Sequence, residues 1–138
     1  MKTPLPFNER CAMNGINWLL DTNVVIGLLK QHPAAIALIE SQKIELSKSA
    51  VSQITRMELL GFPGLVNEEE RAILGFLQNC QVMFIDEAVE SVAIRLRRAG
   101  LCKLPDAIIA ATAQVHQLSL LTLDERLAKV TASLNVSH

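Results

Sequence analysis

Three observations predict an α/β fold in which a central parallel sheet of four to five strands lies between two layers of helices, a three-layer α/β/α arrangement. Short apolar runs alternate with longer stretches of helical periodicity. Acids, prolines and glycines stand where one kind of run gives way to the other. A length of 138 residues with 50% hydrophobic composition suits one well-packed domain and is too short for two. The predicted order is β-α-α-β-α-α-β-α-α-β-α-β, with residues 1–15 as an arm or leader and residues 16–138 as a single domain.

The first strand is expected over residues 16–20, apolar except for Asn17, as suits a strand buried on both faces. Asp21 follows it directly, and Thr22 or Asn23 is expected to cap a helix over residues 24–31. Pro33 punctuates the chain before a second helix over residues 34–41. Residues 44–51 include the second strand, and residues 52–60 turn helical, with Ile54, Met57, Glu58 and Leu60 on or near one face. The cluster Gly61-Phe62-Pro63-Gly64 ends that helix. Asn67 starts the next one, with Glu68, Glu69 and Glu70 complementing its dipole and Ile73, Leu74 and Leu77 on its buried side.

Residues 82–85 supply a third strand. Asp86 caps a helix whose Val89, Val92, Ala93 and Leu96 repeat at helical spacing until Gly100. Leu104-Pro105-Asp106 opens an alanine-rich helix reaching His116, whose small residues permit close packing on the sheet. Residues 118–121 read as the fourth strand, residues 124–130 as a short helix and residues 134–136 as a weak final strand.

A formal net charge of −1 gives no basic footprint, so nucleic-acid binding cannot be argued from overall charge. Cys11, Cys80 and Cys102 are odd in number and contain no CxxC pair, which favours reduced thiols in a cytoplasmic protein. No window is apolar enough over sufficient length to cross a bilayer, because Asp21, Thr22 and Asn23 interrupt the one around residues 19–29. The first 15 residues lack the apolar core of a secretory signal, and Met13 just before the first strand leaves the choice of start open.

Four carboxylates are expected at the strand ends: Asp21 after the first strand, Glu58 in the helix after the second, Asp106 in the first turn of its helix and Asp124 just after the fourth strand. In open α/β sheets that edge is where ligands bind. Acids gathered there repel one another unless a cation binds among them or some stay protonated, and an oxygen-only set suits Mg²⁺ or Mn²⁺ over zinc. Such a site supports hydrolysis of a phosphodiester. Each acid also has a plainer account. Asp106 complements a helix dipole, Asp124 caps its helix and Glu58 is a solvated helical glutamate beside Arg56. Asp21 resists that treatment, since an acid directly after a buried strand is costly unless paired or ligated.

These residues resemble the motifs of PIN-domain nucleases. Leu19-Leu20-Asp21-Thr22-Asn23 is similar to their opening motif, and Ser52-Gln53-Ile54-Thr55-Arg56-Met57-Glu58-Leu59 to their serine/threonine and glutamate segment. Pro105-Asp106-Ala107-Ile108-Ile109-Ala110-Ala111-Thr112-Ala113 resembles their third-acid helix, and Leu121-Thr122-Leu123-Asp124 their last motif. All four occur in the expected order between Trp18 and the C-terminus, and their form resembles the VapC-type toxin branch of bacterial toxin-antitoxin pairs.

The resemblance implies a flavodoxin-like fold and a metal-dependent endoribonuclease, commonly a homodimer restrained by a cognate antitoxin that covers the acidic site. Carried onto this chain, it makes Asp21, Glu58, Asp106 and Asp124 the catalytic residues and the ligands of one or two Mg²⁺ or Mn²⁺ ions. Thr22, Asn23, Ser52 and Thr122 would support them by hydrogen bonds. Where relatives often carry a further acid and then an aromatic after the last motif, this chain has Arg126-Leu127.

Cations near the acids are needed to meet RNA phosphates, and Arg56, Arg95, Arg97, Arg98 and Lys103 are available, with Arg56 the candidate substrate contact. Arg95, Arg97 and Arg98 equally satisfy a helix C-terminus. His32 and His116 lack the paired spacing of metal ligands, His138 is terminal, and one tryptophan with no tyrosine indicates no base-stacking platform. Two other readings stand beside the nuclease. One is a PIN-like module that binds RNA or protein without turnover. The other is a haloacid-dehalogenase-type phosphatase, weakened because the second aspartate it needs falls at Asn23.

Overall fold

The computed structural model describes residues 15–136, so the expectations for the arm, Cys11, Met13 and His138 lie outside the described residues. Its elements are β1 (Trp18–Leu20), α1 (Thr22–Leu29), α2 (Pro33–Ser41), β2 (Ser49–Ser52), α3 (Gln53–Leu60) and α4 (Asn67–Leu77). These are followed by β3 (Gln81–Met83), α5 (Glu87–Arg98), α6 (Leu104–His116), β4 (Ser119–Leu121) and α7 (Glu125–Val136).

The strands form one sheet in the order β3-β2-β1-β4, every neighbouring pair parallel. Its register aligns Leu20 with Leu121 and Ser52 with Met83. From β1 the chain steps outward to β2 and β3, then crosses back to lay β4 on the other side of β1. The direction of winding therefore reverses between β1 and β4, and the crevice outside their carboxyl ends is where such a sheet takes ligands.

Alternation along β1 divides the core. Leu19 packs on one face with Val89, Ala93 and Leu96 of α5, Ala107, Ala110 and Ala111 of α6, and Leu127 of α7. Leu20 packs on the other with Val24 and Val25 of α1, Leu59 of α3, and Ile73 and Leu77 of α4. The three predicted layers follow from this period-two division. The alanines of α6 let it lie close to the sheet, and a β-carbon at Gly27 of α1 would stand 2.6 Å from that of Ala35, so only glycine permits the close approach of α1 and α2. No single helix among the described residues is long and apolar enough to cross a membrane.

Several boundaries differ from the sequence expectation. The strand expected within residues 44–51 begins only at Ser49 and runs to Ser52, because Leu46–Lys48 form a 3₁₀ turn before it. The buried Ser49 hydroxyl donates to the Glu45 carbonyl at 2.8 Å, which is how β2 tolerates a polar residue under full burial. β3 ends at Met83, leaving Phe84 exposed. The predicted final strand at residues 134–136 is not a strand. It continues α7, where Leu127, Thr131 and Leu134 follow one another at helical spacing and the Thr131 hydroxyl donates back to the Leu127 carbonyl at 2.8 Å. The described sheet consequently has four strands, the lower of the two expected numbers.

Candidate active site

Asp21 sits at the carboxyl end of β1, where its backbone N–H donates to the Leu121 carbonyl at 2.9 Å and so extends the β1–β4 pairing by one residue. It is also the cap of α1, a role expected of Thr22 or Asn23. Its backbone is extended, its carbonyl accepts from the N–H groups of Val24 and Val25 at 3.0 and 3.2 Å, and its Oδ1 accepts from the Thr22 N–H at 2.7 Å. One residue thus ends the strand, starts the helix and presents a carboxylate that is only 5% exposed.

The last motif closes around it. The Thr122 hydroxyl donates to Asp21 Oδ2 at 2.7 Å, and its oxygen accepts from Asn23 Nδ2 at 3.3 Å and from the Asp124 N–H at 2.9 Å. Asn23 Oδ1 accepts in turn from the Leu123 N–H at 3.1 Å. The hydroxyl uses its one proton and both lone pairs, so the β1–α1 and β4–α7 turns are held as one unit.

On the other side, Thr22 Oγ1 lies 2.8 Å from Glu58 Oε1 and 2.9 Å from Thr55 Oγ1. With a single proton, Thr22 donates to the carboxylate and accepts from the buried Thr55. Thr55 and Glu58 are three residues apart on α3 and share a face. That spacing was present in the sequence, and Thr55 is the supporting residue it would have revealed. Ser52 is buried at the end of β2, and its hydroxyl accepts from the Ile54 N–H at 3.2 Å as the cap of α3.

Asp106 is half-buried in the first turn of α6, and Asp124 Oδ1 accepts from the N–H groups of Arg126 and Leu127 at 2.9 and 3.2 Å. Asp124 is therefore a helix cap, as its plainer account held, with Oδ2 left over. Arg56 is exposed and borders neither of the two cavities beside the acids. His32 caps α2, its Nδ1 accepting from the Ala34 N–H at 3.3 Å.

The electrostatics tie the acids together. Burial pushes the Asp21 carboxyl above its usual range, Asp106 and Glu58 add to the rise, and the hydrogen bonds from Thr122 and Thr22 oppose it. Burial also raises Asp106, with Asp124 adding and the Lys103 and Arg126 charges opposing. The repulsions run as a chain from Glu58 through Asp21 and Asp106 to Asp124. Among the described residues no three acid, histidine or cysteine side chains are drawn close enough together to enclose an ion by themselves. An oxygen-only chain of acids nevertheless fits Mg²⁺, which keeps several waters and is held by one or two carboxylates together with substrate phosphate. Both Asp21 oxygens accept one hydrogen bond each and retain lone-pair capacity.

Among the described residues, cavities lie on both sides of the chain of acids. One, of about 370 Å³, is bordered by Asp106 and Asp124, the cations Arg97, Lys103 and Arg126, and Leu127. The other, of about 300 Å³, is mostly apolar and runs from Glu58 past Ile26, Leu59, Phe62 and Ile73.

Comparison with known proteins agrees with this arrangement. No curated protein matches the chain. Among solved structures it is similar to a chain of a toxin-antitoxin complex from Klebsiella pneumoniae, with 32% identity over 78% of this chain and 87% of that one and a TM-score of 0.67. It is similar to a chain of FitAcB from Neisseria gonorrhoeae, with 27% identity over 83% and 93% and a TM-score of 0.66. A chain of DNA-bound VapBC from Salmonella typhimurium shares 26% identity over 83% and 91% with a TM-score of 0.67. The sequence profile of the PIN domain matches residues 18–132, which span β1, all four acids and most of α7, and the chain belongs to the PIN domain family.

Proposed function

We propose that the protein is a metal-dependent endoribonuclease and the toxin component of a type II toxin-antitoxin pair. The observation that carries the reading is the Asp21 carboxylate at the β1–β4 reversal, held by Thr122 and Thr22, with its carboxyl pushed above the usual range by burial first and by Asp106 and Glu58 after it. A buried acid beside other acids is costly in isolation and favourable around a cation.

Asp21, Glu58, Asp106 and Asp124 would hold one or two Mg²⁺ or Mn²⁺ ions. A bound ion of this kind supplies Lewis-acid stabilisation of the charge that develops on a phosphodiester. The chain's own contribution is orientation. Thr122 and the Thr22 N–H fix the two oxygens of Asp21, Thr22 fixes Glu58, and the Asn23 bridge keeps the Asp124 turn in place.

The toxin assignment draws support from the toxin-antitoxin complexes among the structural relatives. The apolar groove beside Glu58, with Ile26 and Phe62 exposed on it, gives a protein antitoxin a surface to cover next to the acids. A homodimer acting on RNA in the cytoplasm completes the reading. It is tested by incubating mixed RNA with the protein and Mg²⁺ or Mn²⁺, with chelator and Asp21→Asn as controls. Cleavage that needs the ion and Asp21 is expected; no cleavage, or cleavage indifferent to the substitution, overturns the reading.

A further inference from the structure

The 370 Å³ cavity is bordered by three cations and two acids that form no close ion pair with one another among the described residues. Arg97 reaches it from the last turn of α5, Lys103 from the turn before α6, and Arg126 from the first turn of α7. Asp106 and Asp124 border the same space, and among the described residues neither acid lies within 4.0 Å of a cationic side-chain nitrogen, the Lys103 and Arg126 charges acting on Asp106 from farther away. Three positive groups from three elements therefore face one cavity with two acids at its edge, and its positive groups remain available to an anion.

The loop between Arg97 and Lys103 makes a tight reversal. After α5 the Gly100 N–H donates to the Arg97 carbonyl at 3.0 Å and the Leu101 N–H to the Leu96 carbonyl at 3.2 Å, with Gly100 at φ +74°. This glycine-terminated helix end turns the chain straight into α6, so Arg97 and Asp106 border one space. Helix-end compensation alone does not account for the placement. Arg95, Arg97 and Arg98 all lie in the last turn, but only Arg97 borders the cavity. The buried Leu127 and the partly buried Val130 give the cavity an apolar side, and its volume falls within the range of ligand pockets, about 300–1,000 Å³.

We propose that this cavity is a nucleotide subsite for the RNA strand, in which Arg97, Lys103 and Arg126 hold a backbone phosphate next to Asp106 and Asp124 while Leu127 and Val130 meet the attached sugar or base. The assignment rests on the nuclease reading and extends it, because it fixes the side from which the strand approaches the acids. Arginine's planar donors suit phosphate oxygens in pairs, and a phosphate seated there sets the register of the strand at the acids without reading its sequence.

The test is equilibrium binding of a labelled, mixed-sequence single-stranded RNA decamer to the full chain carrying Asp21→Asn, followed by fluorescence anisotropy across a salt series. Adding Arg97→Ala and Arg126→Ala is expected to weaken binding at least tenfold and to flatten the salt slope by about 0.7, the value for one phosphate contact on a single strand. Adding Arg95→Ala and Arg98→Ala removes the same charge from outside the cavity and is expected to change affinity less than twofold. Equal losses in the two pairs, or no loss in either, overturn the subsite. Arg97→Gln with Arg126→Gln repeats the first arm if the alanine pair lowers the melting temperature. Cleavage of the same RNA by the unsubstituted protein separates the two claims. Binding that depends on Arg97 and Arg126 without any cleavage removes the nuclease reading and keeps the subsite; cleavage with no difference between the pairs does the reverse.

Discussion

Thr122 Oγ1 donates to Asp21 Oδ2 at 2.7 Å, joining the carboxyl ends of β4 and β1 through a single hydroxyl. The bond stabilises the charged form of an acid that burial pushes toward protonation. Thr122→Val keeps the shape and removes the bond, and also leaves the Asp124 N–H and Asn23 Nδ2 without their acceptor. Cleavage is expected to fall by roughly 10–100-fold, with the acid limb of its pH profile displaced upward and Thr122→Ser restoring both. A pH–rate series on the three proteins checks it, and a profile left in place would show that Thr122 does not act through Asp21.

Thr55 is buried, and it gives its proton to Thr22, which in turn donates to Glu58. Thr55→Val is expected to lower stability in urea by about 1 kcal/mol through the lost hydrogen bond. Its activity loss should be smaller than that of Thr22→Val, which removes the donor to Glu58 directly. The opposite order would mean that the Thr22–Glu58 contact does not position the acid.

Asp106 carries a pKa raised above 3.8 by burial and by Asp124, against the opposing charges of Lys103 and Arg126. Between the unfolded and folded values the folded chain binds more protons than the unfolded one. Stability without divalent ions therefore falls as pH rises through that window and stays lower above it. Asp106→Asn removes the penalty, and its melting temperature at pH 7 in chelator is expected to exceed the unsubstituted protein's, the gap closing near pH 3. Melting curves at the two pH values decide it; a lower melting temperature for the variant at pH 7 contradicts the assigned repulsion.

Gly100 ends α5 at φ +74°, a region that a side chain occupies at a cost. Gly100→Ala is expected to destabilise the fold by about 1 kcal/mol in chemical denaturation. No atom lies within 4 Å of the added carbon, so the loss would come from the backbone and not from a clash. An unchanged midpoint would show that the α5–α6 turn can be made another way.

The layers and the acids were legible in the sequence because their signals are local. Leu19 and Leu20 alternate, α5 repeats its apolar residues at helical spacing, and Asp21 and Asp124 each follow an apolar run. Other features were hidden because they depend on long-range pairing. The strand expected at 134–136 was only three residues long, with Leu134 and Val136 on either side of Asn135, too short to tell strand from helix end, and continuity with Leu127 and Thr131 decided for helix. Asp21 was not expected to cap α1, since Asp21, Thr22 and Asn23 are all good capping types and the local sequence does not rank them. Arg97 and Arg126 are far apart in the chain, and only the packing of α5, α6 and α7 places them on one cavity. Arg56, the expected substrate contact, borders neither cavity although it lies beside Glu58 in sequence.

The central claim is that Asp21, Glu58, Asp106 and Asp124 form one cation site, and the most direct test is calorimetric titration of Mn²⁺ into the chelator-stripped protein and its acid variants. Saturable binding is predicted, weakened at least tenfold by Asp21→Asn and by Asp106→Asn, with the ion raising the melting temperature of the unsubstituted protein and not of Asp21→Asn. Binding of equal strength in Asp21→Asn, or no saturable binding in any of the proteins, would contradict it.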